Sequence, residues 1–239
     1  MSNSTRIRQF ITQAQPYIQQ HGFTLRSIRA AITSGKITID NEEELAVLFP
    51  NQIEISKQLL TQFDKEGLKV ASSSLLPSES SHPDSEERNA GDRRAIEQVE
   101  LLLAGKLLHS VPFREHIVDA LAVLTAAKDR QAFSSIPTPL PIMQRAWQVT
   151  DEAIHMAKWK GRLGTDWYTH RTRLTNAFLM AELHLLSPDF QGDAHQSVHV
   201  LRRLARPHSV FGTQMIESAS QWVNWGSRGW LGIFRSVGL

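Results

Sequence analysis

The sequence predicts an all-helical protein, and three observations predict it. Apolar residues recur at spacings of three and four along most of the chain, the interval that places them on one face of an α-helix. Glycine and proline clusters punctuate these stretches at the points where helices stop. No segment alternates apolar and polar residues in the two-residue period of a half-buried strand, and no internal repeat is present.

Residues 5–20 carry Ile7, Phe10, Ile11, Ala14, Tyr17 and Ile18 as an amphipathic stripe. His21-Gly22-Phe23 ends it, with glycine where a helix C-terminus favours one. Thr24 is suited to cap a second helix running to about Thr33, with Leu25, Ile28 and Ile32 turned inward and Gly35 as the stop. After Asp40 or Asn41, a short helix carries Leu45, Val47 and Leu48 and halts near Pro50. A longer one follows over 52–70, with Ile53, Ile55, Leu59, Leu60 and Phe63.

The composition then changes. Residues 71–92 are rich in Ser, Pro, Glu and Asp, and they hold too little apolar surface to offset the entropy of ordering them. They are expected to form a disordered linker between an N-terminal head, 1–70, and a larger body, 93–215, followed by a separate element at 216–239. Within the body, periodicity predicts helices near 93–109, 112–129, 139–160, 166–187 and 192–205, with a further one near 208–224. Pro112, Pro137, Pro139, Pro141, Gly161, Gly164, Pro188 and Pro207 separate them.

Composition excludes several functions. The 239 residues contain no cysteine, so disulfides, thiolate nucleophiles and cysteine-ligated metals are out. No run of eighteen apolar residues could span a bilayer as a helix, so membrane contact is expected to be peripheral. The net charge of +2 is too small to indicate nucleic acid by itself. Its distribution is uneven, with no acidic residue before Asp40. Such an acid-free, arginine-bearing start has the character of a mitochondrial transit peptide, although the same residues make a good first helix.

Candidates for chemistry are few. Glu152 and His155 have the i, i+3 spacing of di-iron bundles, but a di-iron site needs a second such pair and two more carboxylates. His195 and His199 are spaced to share a helix face toward zinc, without a supporting third ligand. No nucleophile elbow or phosphate-cradling glycine loop is present. The expectation is no catalytic residue, no metal and no cofactor.

The C-terminal segment is different in kind. It holds Trp222, Trp225 and Trp230, half of the six tryptophans, with Ile233 and Phe234 following. Trp222, Gly226, Trp230, Ile233, Phe234 and Val237 fall along one helical face, opposite Asn224, Arg228 and Arg235. Aromatic bulk opposite arginines suits a helix lying in a membrane interface. Trp222, Trp225, Trp230, Ile233 and Phe234 are therefore the expected membrane-binding residues. A core helix of a dimer would carry the same stripe.

Two strings narrow the reading. The head runs helix, His21-Gly22-Phe23, helix, short helix, Leu48-Phe49-Pro50, long helix, and this layout resembles the helix-turn-helix head of TetR-type regulators. Thr165-Asp166-Trp167-Tyr168-Thr169-His170-Arg171, followed by an apolar helix with Glu182 and then Ser187-Pro188-Asp189-Phe190, resembles a segment of the ubiquinone-biosynthesis lipid-binding family, whose fold is TetR-like. The turn before Trp167 is shorter than in animal members, and the acidic linker is an addition.

This resemblance implies a homodimer on the matrix face of the mitochondrial inner membrane. It would bind isoprenoid or quinone lipid and present it to the di-iron demethoxyubiquinone hydroxylase within the ubiquinone-biosynthesis complex. By the same resemblance Asp166, Trp167, Tyr168 and Arg171 are the partner-binding candidates, while a lipid cavity between the long helices would draw on Ile117, Leu121, Leu124, Met143, Trp147, Leu174 and Phe178. Each of these seven reads equally well as ordinary core.

The competing reading is a ligand-sensing TetR-type DNA-binding repressor. Against it stand Asp40, Glu42, Glu43 and Glu44 at the third helix, where a reading helix would meet phosphate. No nucleic-acid partner is expected.

Overall fold

The computed structural model of the chain describes residues 3–37, 42–74, 85–126, 140–159, 165–187, 190 and 192–206. All regular structure among them is helical, with no strand. The expected membrane element, with Trp222, Trp225, Trp230, Ile233 and Phe234, lies outside the described residues, as does the expected helix near 208–224. The chain divides into two compact units. The first takes the described residues up to Asp64 and those of Pro112–Ile142, and the second takes Lys65–Val111 and the described residues from Met143 onward.

The first unit begins with α1 (Asn3–Ala14), and the expected helical stretch 5–20 continues past it in two further pieces. Pro16 lacks the N–H that would continue the ladder, and Gln15–Tyr17 tighten into a 3-10 turn before α2 (Ile18–His21). Gly22 then turns the chain with φ of 67° and ψ of −166°, a conformation essentially confined to glycine. A Cβ there would also meet the His116 ring at 3.2 Å. Thr24 caps α3 (Leu25–Thr33) by accepting from the Arg26 amide at 3.2 Å, as its sequence position predicts.

The short α4 (Glu42–Leu48) buries Leu45 but leaves Val47 73% exposed, so only part of its apolar stripe faces inward. Phe49 returns to the core and meets Phe10 edge-on at 5.9 Å. Phe63 of α5 (Gln52–Ser74) stands between Phe23 and Phe113, with ring centroids 5.4 and 4.9 Å away. Ser56 donates to the Phe23 carbonyl at 2.7 Å, which ties the turn to α5. The unit is completed by α7 (Arg114–Ala126), whose Ile117 and Leu121 are fully buried and whose His116 Nε2 lies 3.1 Å from the Gln19 carbonyl.

In the second unit the end of α5 meets α6 (Ser85–Ser110) at small residues. A Cβ on Gly105 would sit 2.5 Å from the Ala71 methyl, so the two backbones approach as closely as glycine allows. Lys106 beside it is fully buried and donates to Ser110 Oγ at 2.7 Å. Both helices reach into the segment expected to be a linker, α5 as far as Ser74 and α6 from Ser85 onward.

The core of this unit is shared by α6, α8 (Leu140–Met156), α9 (Thr165–Leu186) and α10 (Ala194–Ala205). α8 stops before Gly161, at a left-handed Lys158 with φ of 53°. Trp159 N then bonds the Ile154 carbonyl and Lys158 N the His155 carbonyl, the pairing that closes a Schellman motif. Asp193 caps α10 through the His195 amide at 3.0 Å. Ser197, Val198, Val200, Leu201 and Ala205 form its buried face. Within that face Ser197 Oγ lies 2.8 Å from His184 Nδ1 on α9.

Two outcomes follow from these contacts. Gly22→Ala is expected to lower unfolding stability by about 1–3 kcal/mol, because the turn leaves an L-residue strained. Urea titration checks it, and an unchanged midpoint would overturn it. Burial lowers the His184 imidazole below its ordinary range. An unfolded chain then takes up this proton first, so the contribution is full above about pH 6.5 and is lost as pH falls. His184→Gln should flatten that acid limb of stability against pH, and a limb identical to wild type would refute the assignment.

Candidate functional site

Two i, i+4 pairs on two helices build the site. Trp147 and Asp151 stand one turn apart on α8, and Trp167 and Arg171 one turn apart on α9, so each pair shares a helix face. Between them the Arg171 guanidinium lies 4.3 Å from the centre of the Trp147 ring and 4.9 Å from that of Trp167. Its Nη2 reaches Asp151 Oδ1 at 2.7 Å. The cation is thus held between two indoles and anchored by a carboxylate.

The environment strengthens this clamp. The Arg171 side chain is only 14% exposed while that of Asp151 is 53% exposed, so one partner is withdrawn from water and the other faces it. A cation over an aromatic face is worth about 0.5–2 kcal/mol, more as water is excluded. Arg171 Nε is buried with no hydrogen-bond partner, which makes stacking and the one ion pair its main compensation. Trp167 in turn meets Tyr168 edge-on at 5.0 Å, and Tyr168 is 64% exposed. The surface on offer is therefore a phenol backed by a locked indole, beside an accessible carboxylate. Large aromatics next to arginine are the residue types that dominate protein–protein hot spots.

A second, deeper link holds the same two helices. Arg145 Nη1 and Nη2 donate to the two carboxylate oxygens of Glu182 at 2.6 and 2.9 Å, with both side chains almost wholly buried. On another face of α9, His170 Nδ1 lies 2.7 Å from Arg173 Nη2 and its ring meets Trp159 edge-on. Burial raises the carboxyl of Glu100 on α6, and the Arg173 charge works against that rise.

The expected site residues separate into groups. Trp167, Tyr168 and Arg171 lie in mutual reach on α9, and Asp166 lies in its first turn. Trp147 joins them, although the sequence reading gave it to a lipid cavity. The other cavity candidates divide between the units. Ile117 and Leu121 are core of the first and Leu124 is half-buried there, while Leu174 and Phe178 are core of the second and Met143 is 47% exposed. Asp151, Arg145 and the role of Glu182 went unread. The matched i, i+4 spacings of 147/151 and 167/171 were the available signal for Asp151. Glu152, His155, His195 and His199 are all exposed.

Compared with models of protein families and with curated proteins, the chain matches none.

Arg171→Lys keeps the charge for Asp151 but removes the planar group that stacks on both indoles. A loss of about 1–2 kcal/mol in stability is expected, with a weakened near-ultraviolet tryptophan dichroism. Dichroism and stability both equal to wild type would show the stacking to be idle.

Proposed function

We propose that this chain is a lipid-binding accessory protein of ubiquinone biosynthesis, a TetR-like homodimer that binds the matrix face of the mitochondrial inner membrane. In this reading it takes up a polyprenylated quinone intermediate and presents it to the di-iron demethoxyubiquinone hydroxylase. It acts by binding, with no chemistry of its own.

One observation carries the proposal. The Thr165–Arg171 string that resembles the family is also the string whose side chains make an exposed aromatic surface fixed from behind. Tyr168 is 64% exposed, and Trp167 behind it is held by Arg171. An exposed tyrosine backed by a locked tryptophan costs little side-chain entropy when a partner covers it. The all-helical frame is consistent with the reading. The acids of α4 weigh against a DNA-reading helix, since Glu43 is exposed and Glu44 pairs with Arg6 at 2.6 Å.

The test begins with cells lacking the protein. Mass spectrometry of their quinones is expected to show loss of ubiquinone and accumulation of a demethoxy or amino-substituted precursor, and a normal profile would overturn the assignment. Tyr168→Ala separates binding from folding. It should leave helicity and melting unchanged while weakening co-purification of the hydroxylase by about tenfold or more, as for an aromatic hot spot. Trp167→Lys is the poorer variant, because it sets a second cation beside Arg171.

A further inference from the structure

The second unit leaves an apolar face that the proposed function does not use. Leu101 and Leu108 of α6 are each 41% exposed, and Val70 of α5 is 51% exposed. The two leucines stand four residues before and three residues after Gly105, so all three share one stripe of the helix. Gly105 is the residue that meets the Ala71 methyl, and Val70 is the neighbour of Ala71. Exposed methyl groups from both helices therefore gather where α5 and α6 meet at small residues. Gly105 is itself only half-buried and has no side chain, which leaves a notch between the leucines. Scattered exposed leucines need no explanation, but three apolar side chains around one notch form a seat for a bulky apolar group.

The course of the chain points to the occupant. α10 packs on α6 as well as on α9. Arg202 in its last turn and Arg206 at its end lie within electrostatic reach of Glu100, the residue before Leu101. The described chain thus leaves α10 beside the apolar face, and residues 207–239 continue from that point. They contain Trp222, Trp225 and Trp230, large apolar groups that gain by leaving water. Charge agrees with this pairing. Glu97, one turn before Leu101 on the same stripe, is exposed, and Arg228 lies between Trp225 and Trp230.

The tether decides between occupants. A segment joined to its seat by the chain itself competes at an effective concentration of about a millimolar, ahead of any separate partner. A second copy is the weaker occupant, because three side chains fall far short of the roughly 800 Å² that each partner of a stable dimer buries.

We propose that Trp222, Trp225 and Trp230 seat on Val70, Leu101 and Leu108 when no membrane is present, and that a lipid surface takes them from this seat. The face then acts as a latch, since membrane binding has first to release the segment. The inference rests on the membrane-binding reading of that segment and uses nothing of the quinone assignment.

The chain has no cysteine, so spin labels can be placed at chosen positions. Nitroxides on Gln98→Cys/Asn224→Cys, one beside the face and one beside the tryptophans, report their separation in the full chain by pulsed electron resonance. A narrow distance distribution is expected in buffer. It should broaden in Leu101→Glu/Leu108→Glu and on addition of phosphatidylcholine vesicles containing phosphatidylglycerol. Val70→Glu, on the other helix, should act the same way, and unchanged helicity and melting show that each variant folds. With the latch removed, sedimentation with the same vesicles should show binding tightened by about threefold or more. The proposal is overturned if the distribution is equally broad in the wild type and in Leu101→Glu/Leu108→Glu. It is overturned too if dilution with unlabelled chain abolishes the signal, which would seat the segment of a second copy. Weaker vesicle binding by the glutamate variants would also overturn it, since the face would then be a membrane contact itself. Vesicle binding absent from wild type and variants alike would instead sink the membrane reading, with the label distances still deciding whether the segment is seated.

Discussion

The second unit turns on a buried ion pair. Arg145 and Glu182 close two parallel hydrogen bonds out of reach of water, and a pair so buried must be satisfied in full or it destabilises the fold. Removing one partner from such a pair costs about 3–5 kcal/mol, whereas replacing both with apolar groups can be neutral. Its role here is better read as register than as cohesion. Only one sliding position of α8 along α9 brings the guanidinium and the carboxylate into bidentate contact. That same position brings Arg171 between Trp147 and Trp167 and within reach of Asp151. The exposed aromatic surface is thus a consequence of a contact withdrawn almost wholly from water.

Much of the frame was legible in the residues and much of the site was not. Helix positions followed from apolar spacing, and the Thr24 cap and the Gly22 stop were found where residue chemistry puts them. The errors have physical sources. Pro16 sits in an otherwise perfect stripe, so periodicity ran through it and missed the local tightening into a 3-10 turn. Gly161 invited a helix stop, yet Lys158 adopts the left-handed turn because Trp159 gains burial by following it. Low apolar content made 71–92 read as linker, but the helices on either side extend into its margins, to Ser74 and from Ser85.

The site was half legible for a related reason. Trp167, Tyr168 and Arg171 are adjacent on one strip of helix, so they could be grouped from sequence. Trp147 and Asp151 come from a different helix, and their partnership depends on a register fixed by residues 37 positions apart. A half-buried tryptophan reads as cavity lining until its neighbour is known.

The make-up of the first unit bears on how the chain is born. Residues up to Asp64 are joined in it by a helix that begins only after Val111. Until that helix has left the ribosome, Phe63 lacks the Phe113 ring and the loop at Gly22 lacks its His116 cover. At about 5–20 residues per second the delay lasts a few seconds. During it a nascent chain displays an unfinished apolar face while α6 is already being made. A fragment ending near residue 70 would remain in that condition permanently, with a core open on the side that α7 closes.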